Sequence, residues 1–488
     1  MEVLTSADLA ADFSLQDRSR RIFIQGVGLV GVGLIAGTLG GCDKLAEAIR
    51  NRPLRRRLRT GSPEVDAAID LYRQAVTQMK GLAAADPRSW TAQATIHGTP
   101  SGFNFCQHNT NHFFDWHRAY LFYFEKICQK LTGNSKFGLP YWNWNQNEDI
   151  HPAFLDPAST LYLARNRTSM AGWFATTTSA LDPIMGDTNL FSFSQQIEGT
   201  PHNSVHSYIG GTLGGYTSAL DPLFWMHHCM VDYCWAKWNL ELGNDNTNDS
   251  TWLGTDHSHF VDADGNAASV TAGITTLMPL LSYRYESSAI GSSPAQAEAA
   301  MTKSHYKKLE ERVRKGADVR FDIKRRARLA ERTAVSIARP FSVDSKISAA
   351  ELAGIVEADP SREVVFASIE YAQLPASSDF SVRVFVNLPG ADATTPIDDP
   401  HYAGSFAFFG TEPGDAGAEH RQQPKFLVNL TPTLQRLRSR QDLKASGAIS
   451  VQLVPTPFAG GFEKADTELV LNGLDIIVTP VIVRAKTG

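Results

Sequence analysis

Histidine carries the chemical signal in this 488-residue chain: nine of its fourteen histidines fall between His97 and His228, a density that points to metal ligands rather than scattered surface or core rings. In Glu198-Gly-Thr-Pro-His202-Asn203-Ser-Val-His206 two histidines stand four apart, so on a helix both imidazoles leave one face and reach one ion. Pro201, ahead of His202, suits a helix start. Further on, Asp221-Pro-Leu-Phe-Trp-Met-His227-His228-Cys-Met-Val-Asp232 holds two adjacent histidines. Neighbours on a helix point about 100° apart, so only one of them can complete the set begun by His202 and His206. Asp232, four residues after His228, shares its side of the helix and is expected to orient that ring or a neighbouring ligand. Upstream lies a second group: His97, then Cys106-Gln107-His108, then His112 and His117. Two trios of neutral imidazole donors, with no obligatory thiolate or carboxylate, suit copper or zinc and not hard cations. A single ion needs one trio, so two trios imply a two-metal site.

The elements that must position these rings follow from pattern. Pro63 to Leu82 carries Val65, Ile69, Leu71, Val76 and Met79 as a helical apolar stripe, begun after Ser62-Pro63. Phe113 to Leu131 is a second helix, with Trp116, Tyr120, Tyr123, Phe124 and Ile127 on one face. Pro222 to Leu240 is a third, capped by Asp221 and with Pro222 in its first turn. Lys303 to Arg332 is strongly charged and predicts a solvated helical connector. After Pro340 the texture changes to short β-rich runs (364–369, 382–386, 426–430, 449–453 and 476–478) divided by Gly, Pro and Asp, the pattern of an antiparallel sandwich or barrel. The expected architecture is multidomain α+β. An α-helical metal domain over 62–300 is followed by a charged connector over 301–339 and an antiparallel β-sandwich-like domain over 340–488.

The first forty residues read as an address. Ser19-Arg20-Arg21-Ile22-Phe23-Ile24 is a twin-arginine export motif, followed by an uncharged, glycine-rich run from Gly26 to Gly41. That run is short against the roughly 20 apolar residues a bilayer span needs. Leu39-Gly40-Gly41-Cys42 resembles a lipobox, which predicts a signal over 1–41 and a periplasmic or membrane-anchored envelope protein tethered through Cys42. Residues 42–61 are expected to be a basic linker whose arginines, Arg50 to Arg59, lie against anionic lipid or in solvent. A formal net charge of −5 gives no polyanion-seeking balance, so nucleic acid is not an expected partner. Five irregularly spaced cysteines make no disulfide framework.

Four runs carry a family resemblance. His117-Arg118-Ala119-Tyr120-Leu121, Pro140-Tyr141-Trp142-Asn143-Trp144, Pro201-His202-Asn203-Ser204-Val205-His206 and Asp221-Pro222-Leu223-Phe224-Trp225-Met226-His227-His228 are similar, in order and spacing, to signatures of the tyrosinase, catechol oxidase and molluscan haemocyanin family. The resemblance implies a type 3 dicopper enzyme that oxidises phenols and o-diphenols to o-quinones with O2. It implies that His97, His108 and His117 hold copper A, because the family spaces its second and third copper A histidines nine residues apart. It likewise implies that His202, His206 and His228 hold copper B, with His227 not binding. Cys106 resembles the cysteine that in fungal members forms a thioether with its neighbouring ligand, here His108. Cys128, Cys229 and Cys234 read as buried apolar thiols.

Glu198 and Asn203 match by position the pair that in the family holds an ordered water proposed to deprotonate a monophenol, a general-base role. The alternative for Glu198 is to orient a copper ligand. Plant catechol oxidases overhang copper B with a phenylalanine thirteen residues before the last ligand. Gly215 stands there in this chain, which implies an open pocket for monophenols as well as diphenols. Asp398-Asp-Pro-His401-Tyr402-Ala403-Gly404-Ser405-Phe406 resembles a segment of the C-terminal sandwich of haemocyanins and latent polyphenol oxidases, where that domain covers the copper site. This implies either latency or a passive stabilising domain, with Tyr402, Phe406 and Phe408 expected in strand core rather than as a plug. An o-aminophenol oxidase uses the same coppers on a different ring. A haemocyanin-like oxygen carrier shares every ligand, but a single copper domain behind an export signal counts against it.

Overall fold

The computed structural model describes residues 51–146, 149–173, 181–247, 249–286, 325–344, 355, 363–410, 423–442, 449–458 and 468–480. The twin-arginine and lipobox motifs with Cys42, and residues 301–324 of the expected connector, lie outside the described residues. Among those described, no helix is long and apolar enough to cross a membrane.

The half that carries the histidines is helical. α1 (Pro63–Gly81) buries Val65, Ile69, Tyr72, Val76 and Met79 along one stripe. α2 (Trp90–His97) is capped by Ser89, whose hydroxyl accepts the Ala92 N–H. α3 (Phe113–Thr132) stops at Gly133, which sits in the left-handed region at φ 65°. α4 (Leu190–Ile197) passes through one wide turn, Glu198–His202, into α5 (Asn203–Ile209). α6 (Pro222–Ala236) opens on Asp221, whose carboxylate accepts the Leu223 N–H at 2.8 Å. Every residue of α6 is buried, as a helix without a polar face must be. It packs against α3, where the rings of Phe124 and Trp225 stack 3.4 Å apart. A hairpin of β1 (Asp256–Val261) and β2 (Ala267–Thr271) covers the other side of α3, with Phe260 against Trp116 and Tyr123.

Two expectations are corrected here. The basic stretch is no linker beyond Asn51: Leu54 and Arg55 pair in parallel with Arg284 and Tyr285, closing the helical half on itself. Arg55 is fully buried and binds Glu125 at 2.9 Å and Asp232 at 3.0 Å. Asp232, for its part, orients no imidazole. It accepts from Arg118 at 2.5 Å and from the hydroxyls of Tyr283 and Tyr285 at 2.5 and 2.6 Å. Burial works against its charge, yet Arg118 and Arg55 hold its carboxyl below the ordinary range. The helical side was right, but two charged guanidinium donors outcompete a neutral ring for a carboxylate.

Among the described residues the C-terminal half is built of strands, β3 (Arg325–Ala330), β4 (Thr333–Ser336), β5 (Phe341–Asp344), β6 (Glu363–Tyr371), β7 (Phe380–Val386), β8 (Tyr402–Ala407), β9 (Lys425–Asn429), β10 (Ser450–Pro457) and β11 (Glu468–Pro480), with α7 (Thr431–Ser439) after β9. One sheet runs β9-β6-β11-β3, with β4 also on β11; the other runs β8-β7-β10-β5, and all these pairings are antiparallel. Val365, Ile369 and Ile476 of the first sheet share a core with Val382, Val384 and Leu453 of the second. That is a sandwich. It begins earlier than expected, because β3 lies in what read as connector. Its arginines, Arg325, Arg326 and Arg328, face outward while Ala327 and Leu329 are buried. Asp475 on β11 binds both Arg326 and Arg328, so the charges belong to a strand face.

Candidate metal centre

Helical elements and one loop bring six buried imidazoles to one place. His97 ends α2, His108 comes from the loop before α3, His117 from the second turn of α3, His202 and His206 from the wide turn and α5, and His228 from α6. His97, His108 and His117 form one trio, with ring centroids 5.0–5.9 Å apart. His202, His206 and His228 form another at 4.6–5.5 Å. The trios face each other, His117 stacking on His228 at 4.6 Å and His108 lying 5.5 Å from His202.

The protons on five of these six rings are fixed by what surrounds them, while Nδ1 of His228 has no partner. Nδ1 of His97 meets the Tyr216 carbonyl (3.2 Å), Nδ1 of His117 the Phe113 carbonyl (2.7 Å) and Nδ1 of His206 the Leu213 carbonyl (2.7 Å). Nδ1 of His108 meets Glu198 Oε1 (3.1 Å) and Nδ1 of His202 meets Asn203 Oδ1 (2.8 Å). An oxygen acceptor requires N–H at Nδ1, which leaves Nε2 of a neutral ring as a bare lone pair. Burial keeps the rings neutral, pushing His97 down to about 4 and His202 down to about 3, and the other four well below the ordinary range. Yet Nε2 of His97 and Nε2 of His108, both left bare by their Nδ1 bonds, stand only 3.2 Å apart. Nε2 of His117 and of His202 are buried without any partner. Lone pairs turned toward one another in a dry site are repulsive unless cations lie among them. The donor set fits two ions of the copper type, one per trio.

His227 is brought to the same place, its nitrogen within 4.8 Å of those of His202, His206 and His228. Trp144 keeps it apart chemically. Its indole N–H donates to Nδ1 of His227 at 3.1 Å, so a neutral His227 carries its proton on Nε2 and offers no lone pair there. This is what the Pro140–Trp144 run does, held in turn by the Trp142 N–H on the Met226 carbonyl at 3.1 Å. Glu198 and Asn203 also contact rings, on opposite trios. Glu198 further accepts the Asn109 N–H at 2.7 Å, and burial pushes its carboxyl up to about 8. A cavity of about 10 Å³, room for roughly one water, lies beside Glu198, Asn109 and Lys425. Asn203 is engaged on both sides, its Nδ2 donating to the Ala407 carbonyl at 2.9 Å. Cys106 is a buried free thiol, its sulfur within 4.8 Å of the nearest nitrogens of His97 and His108. Cys128, Cys229 and Cys234 are buried and free, as expected.

The expected open roof is absent. Gly215 brings no side chain of its own, but Phe409, just past the end of β8, reaches the histidine rings from the sandwich. Its ring stacks on His206 at 4.1 Å and lies 5.4 Å from His108 and 5.5 Å from His202. The next residue must be glycine: Gly410 has φ 95°, and a Cβ there would stand 2.7 Å from the Tyr216 ring. Phe406 and Phe408 do lie in the sandwich core. Sequence reasoning missed Phe409, although the signal was present. Alternation sends Phe406 and Phe408 inward, so Phe409, just beyond the edge strand β8, faces away from the sandwich core, an unusual place for an aromatic.

Residues 87–161 and 151–241 match the common central domain of tyrosinase. The histidine-bearing segment 87–241 is thus a tyrosinase central domain. Tyrosinase HcTyr1 of Hahella sp. (strain CCB-MM4) is 26% identical over 485 residues, covering 83% of this chain and 95% of that one. The chloroplastic polyphenol oxidase of Malus domestica is 33% identical over 259 residues, 41% of this chain and 44% of its own. Among solved structures, latent aurone synthase (polyphenol oxidase) from natural source superimposes with a TM-score of 0.61 at 21% identity, over 88% of this chain and 91% of that one, so the helical half and the sandwich share its fold. A tyrosinase domain with two histidine-rich clusters supports copper-dependent oxidation of phenols in general, with two copper ions as the cofactor.

Proposed function

We propose that this tyrosinase-family protein oxidises o-diphenols, and monophenols as well, to o-quinones, and that its own sandwich holds it latent. His97, His108 and His117 would hold one copper and His202, His206 and His228 the other. When bound, the copper pair supplies the redox change and the binding of O2. The chain's own residues do the rest. Five Nδ1–H bonds lock the ring orientations before metal arrives, so little is lost to reorganisation. Trp144 keeps His227 out of the ligand set. Glu198 positions His108, and its raised affinity for a proton suits it to take one from a phenol and pass it to the adjacent one-water cavity.

The observation that carries the latency is Phe409, a phenyl ring lying over His206 where a phenol would stack. The same segment ties up Asn203 through the Ala407 carbonyl, and Ser207 donates its hydroxyl to the Phe408 carbonyl. One movement of β8 away from α5 would therefore uncover copper B and free the Asn203 amide together. Gly215 supports entry of monophenols once Phe409 has left. Oxygen uptake by copper-loaded protein, with a monophenol and with a catechol, before and after limited proteolysis, tests the reading. Uptake on both substrates, rising after proteolysis, is expected. Uptake on catechol alone would limit the enzyme to diphenols, and faster uptake on an o-aminophenol than on either would reassign the substrate. Export by the twin-arginine route and tethering through Cys42 complete the proposal. Both rest on the N-terminal motifs.

A further inference from the structure

Among the described residues, one cluster of metal-type side chains takes no part in that centre. His112 precedes the first turn of α3, Asp115 lies within that turn, and His257 stands on β1; one donor atom from each lies within 4.8 Å of the others. The ring contacts of His112 are with Trp252 and His257 and with none of the six converging imidazoles. Nδ1 of His112 lies 2.9 Å, and Nε2 of His257 2.5 Å, from the same oxygen, Oδ2 of Asp115. The other oxygen, Oδ1, is buried with no hydrogen-bond partner. Among the described residues, no arginine or lysine is ion-paired with this fully buried carboxylate.

That arrangement is unbalanced as hydrogen bonding alone. Two rings crowd one oxygen while its twin, equally desolvated, has nothing, and an unmet buried acceptor costs about 1–3 kcal/mol. A cation seated among the three groups would use the bare oxygen and neutralise the charge. The surroundings hold the donors still. Trp252 lies parallel to the His112 ring at 5.6 Å, and its indole N–H donates to the Asn111 carbonyl at 2.7 Å. The β1–β2 ladder slips between His257 and Phe260, and His259 within the slip has φ 74°. Such a bulge re-aims a side chain, and a non-glycine residue at positive φ persists only where its surroundings fix it. His259 is fixed by stacking on Phe105 at 3.7 Å. His112 is 21% exposed while Asp115 and His257 are buried, which leaves one open side for water as a fourth ligand.

We propose that His112, Asp115 and His257 form a third, separate site for one borderline divalent transition ion, the class that two imidazoles and a carboxylate select. Its ion clamps the first turn of α3, which leads into His117, to the β1–β2 hairpin. Full-length protein is given two equivalents of copper per chain, the amount the paired trios take, then equilibrated with micromolar zinc and desalted, and its metals are counted by mass spectrometry. One zinc per chain in addition to copper is expected. His257→Gln should lose that zinc with copper unchanged, and His112→Gln, at the partly exposed ring, should do the same if the first variant disturbs the hairpin. No zinc beyond copper in the wild type, or equal zinc in all three proteins, overturns the proposal. The reading is a difference between wild type and variant. Failure of the six-histidine assignment would instead appear as copper below two per chain in all three.

Discussion

Replacing Phe409 with alanine should awaken the full-length enzyme. The ring is 6% exposed and stacks 4.1 Å from His206, with Phe103 a further 5.4 Å neighbour. Burying a phenyl group is worth about 1.5–3 kcal/mol, and a good aromatic stack adds about 0.5–1.5 kcal/mol. Truncation therefore removes about 2–4 kcal/mol from the closed state. At roughly 1.4 kcal/mol per factor of ten, the open fraction rises by about 30- to 1000-fold until opening ceases to limit turnover. The contacts of Asn203, Ser207 and Arg167 with the sandwich remain, so the gain sits toward the lower end. Oxygen uptake with a small catechol reads it as kcat/KM, with copper content and near-ultraviolet circular dichroism as controls. If Phe409→Ala keeps two coppers and a native spectrum but turns over catechol no faster than wild type, the ring is not what bars the substrate. Latency would then have to reside elsewhere or not exist.

Arg167 grips Asp379 of the sandwich with two bonds of 2.6 and 2.8 Å at a half-open surface. Such pairs are worth about 0.2–1 kcal/mol, so Asp379→Ala should raise the full-length activity by roughly two- to fivefold, and 1 M salt should shrink the difference between variant and wild type. Copper-depleted protein should lose stability on acidification, because burial places His97 and His202 at about 4 and about 3, below an unfolded imidazole near 6.5. The unfolded chain takes up protons first as pH falls through 6.5, so stability drops between there and about pH 4, by on the order of 2 kcal/mol per ring at pH 5. Urea midpoints at pH 7 and pH 5 check it, and copper loading should blunt the effect. Asp232→Asn leaves Arg118 buried without its counter-charge and should cost about 3–5 kcal/mol, read as a lower urea midpoint, with any folded fraction retaining its copper.

The three long helices were legible because each advertises its start and its buried face: Ser62-Pro63, Asp221-Pro222 and the aromatic face from Trp116 are local signals. The His202–His206 spacing was legible for the same reason. Residues whose meaning depends on a remote partner were not. Arg55 read as solvated because Glu125 and Asp232, its counter-charges, sit 70 and 177 positions away inside apolar helices. The β3 arginines read as connector because Asp475 lies on a strand near the other end of the chain. His257 drew no notice, since nothing nearby in sequence resembles a ligand set and its partner Asp115 is 142 residues distant. Phe409 failed differently. Its parity was visible, but nothing in a strand pattern says which surface an outward ring will meet.

The knot around Asp232 also imposes an order of assembly. It joins Arg55, near the beginning of the helical half, to Tyr283 and Tyr285 at its end, and the parallel bridge from Leu54–Arg55 to Arg284–Tyr285 spans some 230 positions. Contacts so remote in sequence form late, after the entropy of closing the intervening chain has been met. Until residue 285 has been synthesised, Asp232 lacks both tyrosine hydroxyls and the bridge has no second strand. A nascent chain therefore cannot finish its histidine-bearing half piecemeal. The frame around the six imidazoles closes only near the end of that half's synthesis, and a metal ion met earlier would find it open.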